Sequence, residues 1–385
     1  MSDRAQSIYL DHAATSWPKP EVVVNAVADA LTRYGGNPGR GSYPLAMETA
    51  RAIERARADV ASLLGVADST AISFQASATQ ALNLVLAGLI SPGDRVVVSG
   101  GEHNAVRRPL NRLAAAGIEV VVVPTDAEGY VDPDQIDEAV ASAPTALVVC
   151  QHVSNLTGAI QPIADLADVA HARGARIVVD GAQAAGHLAI NLDVLGVDAW
   201  ACSGHKGLLG PAGIGVLYLA DSCEPRELVS GGGAGPSDEP SQPTERPGRY
   251  EAGTPNTPGI LGLGAAARML LVEGVDIRGR EAVLTEMLHR GILDIPGVTV
   301  LGPELGAPRA PVVAFVHERI EPEMLANTLA REGGVAARAG MHCTPWSHQS
   351  LGTSDTGALR LSVGWSTTSG EIEHALAALR TALAL

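Results

Sequence analysis

Apolar positions along this chain follow two alternating rhythms. Short, nearly unbroken runs rich in Val and Ile (Ile118–Val123, Thr145–Cys150, Arg176–Asp180) are separated by stretches with apolar residues at helical spacing, such as Ile163–Arg173. After Lys19-Pro20, residues 21–34 read as a helix and Leu45–Leu64 as another. From Ala71-Ile72-Ser73-Phe74 onward, strand and helix alternate: helix Ala78–Leu89, a turn at Ser91-Pro92-Gly93-Asp94, strand Arg95–Ser99. Strands apolar on both faces, alternating with amphipathic helices, predict an α/β fold whose mostly parallel sheet is covered on both sides.

The rhythm breaks at residues 230–259, which are dense in Gly, Pro and polar residues from Ser230-Gly231-Gly232-Gly233 to Gly253-Thr254-Pro255-Asn256. An irregular segment of that length predicts a linker or a functional loop. Beyond it the pattern predicts a helical stretch over 260–293, strands near 298–302 and 311–317, a helix at 322–332 and a closing helix at 370–384. The expected organisation is a large domain over residues 15–260 and a smaller α+β C-terminal domain over 261–385, joined by residues 1–14.

Composition narrows the function classes. The chain has 385 residues, 46% hydrophobic and 18% charged, enough for a large core and unlike a disordered protein. Its net charge of −15 argues against a nucleic-acid partner. Residues 1–6 contain no apolar signal core, and no apolar run is long enough to span a membrane. Four widely spaced cysteines, Cys150, Cys202, Cys223 and Cys343, lack paired metal-ligand spacing, so no metal site is expected and a reducing cytoplasm is. Cys150 and Cys202 fall in apolar strands, Cys223 in a polar turn.

One count within the basic residues matters most. Only Lys19 and Lys206 are lysines. Lys19, between two prolines at a helix start, reads as a surface residue. Lys206 lies at a predicted strand end between Gly204 and Gly207, where desolvation frees an amine for Schiff-base chemistry.

Ligands in open α/β sheets sit beyond the carboxyl ends of the strands. Those ends carry Ser77-Ala78-Thr79, Glu102-His103-Asn104, Gln151 to Asn155, Asp180-Gly181-Ala182-Gln183 and Ser203-Gly204-His205-Lys206. A single cluster is ordinary helix capping, and Asp180 taken alone could be an N-cap. Five clusters in a chain with few charges point to a site. A lysine, a carboxylate and a helix N-terminus with hydroxyls suit pyridoxal 5'-phosphate, which needs an amine tether, an acid beside its ring nitrogen and donors for its phosphate. The βα rhythm alone would also admit a nicotinamide enzyme, but no Gly-x-Gly-x-x-Gly turn follows the first parallel strand.

At these residues, and at Tyr9-Leu10-Asp11-His12-Ala13-Ala14-Thr15, Glu251 to Asn256 and Arg338-Ala339-Gly340-Met341-His342-Cys343, the sequence resembles class V, fold-type I pyridoxal-phosphate enzymes. The nearest group is the cysteine desulfurases and selenocysteine lyases, on the branch with a short cysteine loop. The resemblance covers essentially the whole chain. It implies that Lys206 tethers the cofactor, Asp180 pairs with the ring nitrogen, Gln183 binds the phenolic oxygen and His103 stacks on the ring and helps move protons. It places Ser77, Ala78, Thr79, Ser203 and His205 at the phosphate, with Thr254 reaching it from the other subunit of a homodimer. Ala14, Asn155, Arg338 and Arg360 would face the substrate, Arg360 clamping its carboxylate; read alone, Arg360 would be a surface ion pair. Cys343 would take sulfur from L-cysteine as a persulfide, leaving L-alanine and handing the sulfur to a protein or small-molecule acceptor. Arg338 and His342 are the expected activators of its thiol. A C–S β-lyase, a selenocysteine lyase, or an aminotransferase or epimerase of the same class would share the cofactor residues, and a non-enzymatic sulfur relay would share the fold. His12 stands where the family commonly has asparagine, and Ala78 where it often has threonine or asparagine.

Overall fold

The computed structural model describes residues 8–39, 41–233 and 238–383. The elements in chain order are β1 (Ile8–Tyr9), α1 (Glu21–Thr32), α2 (Pro44–Leu63), β2 (Ile72–Gln75), α3 (Ala78–Leu89), β3 (Arg95–Ser99), α4 (Asn104–Ala114), β4 (Glu119–Val123) and α5 (Pro133–Ala141). They continue as β5 (Leu147–Gln151), α6 (Ile163–Ala172), β6 (Arg176–Asp180), α7 (Leu192–Leu195), β7 (Ala199–Ser203), β8 (Gly215–Leu219) and α8 (Thr257–Leu293). The last are β9 (Val298–Leu301), β10 (Val312–His317), α9 (Pro322–Glu332), β11 (Val335–Ala336), β12 (Arg338–Gly340), α10 (Pro345–Ser350), β13 (Ala358–Ser362) and α11 (Ser369–Leu383).

The strands from β2 to β8 form one seven-stranded sheet in the order β2-β8-β7-β6-β5-β3-β4. All are parallel except β8, which runs antiparallel to both β2 and β7. The period of two along each strand sends alternate residues to opposite cores. Val97, Val148 and Val179 pack with α2, α5, α6 and the start of α8, whereas Val96, Val98, Val149 and Val178 pack under α3 and α4. Being apolar on both faces is what makes these strands read as continuous Val runs. The return strand β8 had no counterpart in the pattern analysis, because no helix precedes it to mark its start.

A separate antiparallel sheet, β12-β13-β10-β9, carries Arg338 and Arg360 and packs against the second half of α8, α9 and α11. Of its strands, β12 is too short to show periodicity. The first described residues join this end of the molecule: β1 pairs in parallel with β11, and Asp11 bridges to Ser362. Helix α8 is continuous over 37 residues, starting before the expected 260, and its two halves serve the two sheets. The 230–259 segment is irregular apart from a 3₁₀ turn at Gly248–Tyr250 and the start of α8 at Thr257, with residues 234–237 outside the described ones. The expected end of the closing helix at 384, and residues 1–6, also lie outside the described residues. No helix among the described residues is long and apolar enough to cross a membrane.

Candidate active site

The carboxyl ends of β3, β5, β6 and β7, with the start of α3, surround one cavity lined by Ala78, Thr79, His103, Gln151, Asn155, Asp180, Gln183, Ser203 and Lys206. Five strand ends predicted separately thus converge. Lys206 is partly buried there, and desolvation lowers its amine below the usual lysine range while Asp180 pulls it back up. Burial raises the Asp180 carboxyl, with Lys206 opposing. Asp180 also accepts the Ala182 amide at 2.9 Å, so it does the local turn work of a cap while facing the cavity.

Helix α3 presents its N-terminus to the same cavity. Ser77 caps it, accepting the Gln80 amide at 3.2 Å, and Ser203 accepts the Ala78 amide at 3.4 Å. The Ser77 hydroxyl is thereby committed to the cap. Gly215 permits this close packing: a Cβ there would lie 2.6 Å from the Ser77 carbonyl carbon and 2.9 Å from the Ala78 nitrogen.

His103 is the N-cap of α4, its Nδ1 accepting the Ala105 amide at 3.0 Å. Burial, then the charges of Lys206 and Arg338, lower it to about 4. The imidazole is neutral with its proton on Nε2. Beside it, Glu102 is completely buried and pushed up to about 8 by burial. Glu102 accepts from the Ser99 hydroxyl and, at 2.6 Å, from the Gln151 amide, tying the end of β3 to the end of β5.

The Cys343 loop, only Met341–Thr344 between β12 and α10, is pinned to those strand ends. Asn104 donates to the Cys343 carbonyl at 2.8 Å, Asn155 Nδ2 to the His342 carbonyl at 2.7 Å, and Thr344 Oγ1 to the Gly101 carbonyl at 3.0 Å. His342 and Cys343 have φ of 48° and 60°, a left-handed conformation that non-glycine residues adopt only when their surroundings impose it. Arg338 Nη2 lies 3.7 Å from Cys343 Sγ. His342 is lowered to about 3, chiefly by burial, so it is uncharged and brings no cation to the thiol; Arg338 alone of the two expected activators does.

Other expectations are corrected. Arg360 is buried, not superficial: Nη2 binds Asp11 Oδ1 and Nη1 the Asn155 carbonyl, each at 2.9 Å. Lys19 is half-buried, donating to Ser16 Oγ at 2.7 Å and to the His205 carbonyl at 2.8 Å. Cys223 does follow a turn after β8, but it is buried within the α3–α4 core, and burial pushes its thiol up to about 12. Gln183 donates to the Ala13 carbonyl at 2.9 Å, and Asn155 holds the Cys343 loop with its amide nitrogen. Ala14, Ser77, His205, Arg338, Cys343 and Arg360 are not among the residues lining the Lys206 cavity; Thr254, expected to act from a second subunit, lies in separate grooves beside Glu251. Asp11, Glu102 and Gln151 stood within the motifs quoted from the sequence but were given no role there, and Lys19 was read as a surface residue. Glu102 adjoins His103 in a recognised motif and Asp11 adjoins His12, and that adjacency was the available signal.

The site's polar groups fit a resident pyridoxal phosphate. Among the described residues, Gln151 Nε2, Asn155 Oδ1 and Arg360 Nε are buried with no hydrogen-bond partner. Unsatisfied buried groups cost free energy unless a ligand answers them.

A mixed sheet with a lysine and a buried carboxylate lining one cavity at its strand ends is the architecture of a fold-type I enzyme. Residues 8–375 match the aminotransferase class-V family. A probable cysteine desulfurase of Methanothermobacter thermautotrophicus is 35% identical over 95% of this chain and 92% of its own length. A cysteine desulfurase of Dickeya dadantii is 36% identical over 87% of this chain and 82% of its own. A solved cysteine desulfurase from Thermococcus onnurineus superposes with a TM-score of 0.90 at 32% identity, covering 97% of this chain and 94% of that one. The chain belongs to the aminotransferase class-V family, in its cysteine desulfurase group.

Proposed function

We propose that the protein is a pyridoxal-phosphate-dependent cysteine desulfurase, converting L-cysteine to L-alanine with the sulfur carried on Cys343 as a persulfide. The single observation that carries this reading is the fixed placement of Cys343: its loop is tied to the turn that bears His103, and Arg338 faces its sulfur. Lys206 is the tether, Asp180 the partner of the ring nitrogen, and Gln183 that of the phenolic oxygen. Thr79, Ser203 and the α3 N-terminus take the phosphate, joined by His205 and by Thr254 of a second copy. The position of Thr254, outside its own chain's cavity, supports a homodimer.

When bound, the cofactor supplies an electron sink for negative charge at the substrate Cα. Arg360 binds the substrate carboxylate through donors that Asp11 and Asn155 leave free. Lys206 Nζ, its proton affinity lowered by burial, takes the Cα proton. The Cys343 thiolate attacks the substrate sulfur; the S–S bond forms as the C–S bond breaks, and Cβ keeps that electron pair, takes a proton and ends as the methyl group of alanine. Asn104 and Asn155, by holding the loop carbonyls, keep the thiolate in line. A sulfur-acceptor protein or small thiol then removes the outer sulfur. All four cysteines are free, which supports a reducing, cytoplasmic setting.

The test is to incubate the holoenzyme with L-cysteine and identify products. Alanine, with a mass gain of one sulfur at Cys343 that is lost in Cys343→Ala, supports the reading. Pyruvate and ammonia, or full sulfur release by Cys343→Ala, would establish β-elimination instead.

A further inference from the structure

Arg338 and Arg360 stand directly opposite each other on the paired strands β12 and β13. Each already has a partner: Arg338 the Cys343 sulfur, Arg360 the Asp11 carboxylate. The Arg360 side chain is 1% exposed and that of Asp11 22%. A guanidinium has five N–H donors. The Asp11 and Asn155 bonds of Arg360 leave three, including the buried, unpartnered Nε. A substrate carboxylate therefore meets an arginine whose plane is already set from two sides.

We infer that Asp11 is a positioning residue for substrate recognition. It sets the rotation of the Arg360 guanidinium so that the Nε edge is open to an α-carboxylate, and it neutralises one of the two arginine charges. This rests on the proposed role of Arg360 and deepens it. Asp11 is well placed for the task because its backbone is locked by the bridge to Ser362, two residues along β13 from Arg360, while Ala13 on the same segment holds Gln183. Asp11 thus acts through Arg360.

The experiment compares a carboxylate ligand with an amine lacking the carboxylate. L-alanine and ethylamine are titrated into the holoenzyme, with binding read from the absorbance of the bound cofactor. Asp11→Ala is expected to weaken L-alanine binding about tenfold or more, the effect of losing one charge-assisted hydrogen bond, with ethylamine binding within about twofold of wild type. Asp11→Asn keeps an acceptor without the charge and should show a smaller loss, again for L-alanine alone. Cofactor content, measured in both, confirms a folded site. Loss shared equally by both ligands, or no loss in whichever variant folds, overturns the inference. Arg360→Met separates the two readings: if it weakens L-alanine while the Asp11 variants do not, only the inference about Asp11 fails. If Arg360→Met is itself without effect, the role of Arg360 fails and the inference falls with it. Asp11→Ala in the Arg360→Met background should add no further selective loss.

Discussion

Lys19 Nζ donates a 2.8 Å hydrogen bond to the carbonyl of His205, the residue directly before Lys206. The same oxygen accepts from the Ser16 amide at 2.9 Å and lies 3.1 Å from Thr15 Oγ1. The peptide that leads into Lys206 is therefore held by the 15–19 segment. Neither hydrogen-bond partner of Lys19 is anionic, and burial lowers its amine to about 8. The amine acts as a tie to the backbone carrying Lys206. Replacing it with methionine should lower kcat about tenfold through misplacement of Lys206, with KM for L-cysteine little changed. Steady-state kinetics alongside a melting curve check this; an unchanged kcat refutes it.

Cys343 should be the thiol that alkylating reagents find first. Cys150 and Cys202 are completely buried with their thiols pushed up, and Cys223 is pushed up to about 12. Arg338→Met removes the cation facing Cys343 and should slow its alkylation several-fold. His342→Gln should leave the rate unchanged, because that imidazole is neutral. Peptide mass mapping of iodoacetamide-treated protein reads both rates.

Glu102 imposes a pH dependence on stability. Its folded value, about 8, lies above the ordinary carboxylate value, so its contribution is full below about pH 4.5 and is lost as pH rises towards 8. Across that window the unfolded chain gives up the proton while the folded one keeps it. Glu102→Gln keeps the shape and removes the titration. Its stability relative to wild type should rise with pH, at up to about 1.4 kcal/mol per unit. Denaturant unfolding between about pH 5 and 8 measures the difference. A pH-independent difference would place the proton elsewhere.

Gly181 follows Asp180 and lies against the wholly buried Trp200: a Cβ there would sit 1.9 Å from an indole carbon. Trp200 also reaches His152, Nε1 to Nδ1 at 3.4 Å, so it has little room to retreat. Gly181→Ala should destabilise the protein by about 3 kcal/mol or more and displace Asp180 with it. A lowered thermal midpoint together with poor cofactor retention is the expected result.

Much of the site was legible before any coordinates. Lys206, Asp180, His103 and Ser203 were found because parallel strands end on one edge of their sheet, and polar residues following apolar runs mark that edge. Arg360 and Cys343 were legible only through family resemblance, since an arginine in a short strand and a cysteine in a turn carry no periodic signal. Lys19 was misread as superficial because its neighbouring prolines describe local chain shape, whereas its partner, His205, is 186 residues away. The identity of Asp11 as the carboxylate on Arg360 was invisible for the same reason: it is set across 349 residues.

The order of apolar runs and helices by itself determined a mostly parallel sheet covered on both faces, and the scarcity of lysine left only Lys19 and Lys206 as side-chain amines. Burial, contact and charge state were decided only by the tertiary structure. It paired Arg360 with Asp11, left His342 neutral and Glu102 protonated near neutral pH, and bound the Cys343 loop to the turn after β3. The physical reason is that periodicity records which face of an element meets the core, whereas proton affinities and hydrogen-bond partners depend on the atoms that long-range folding brings within a few ångströms.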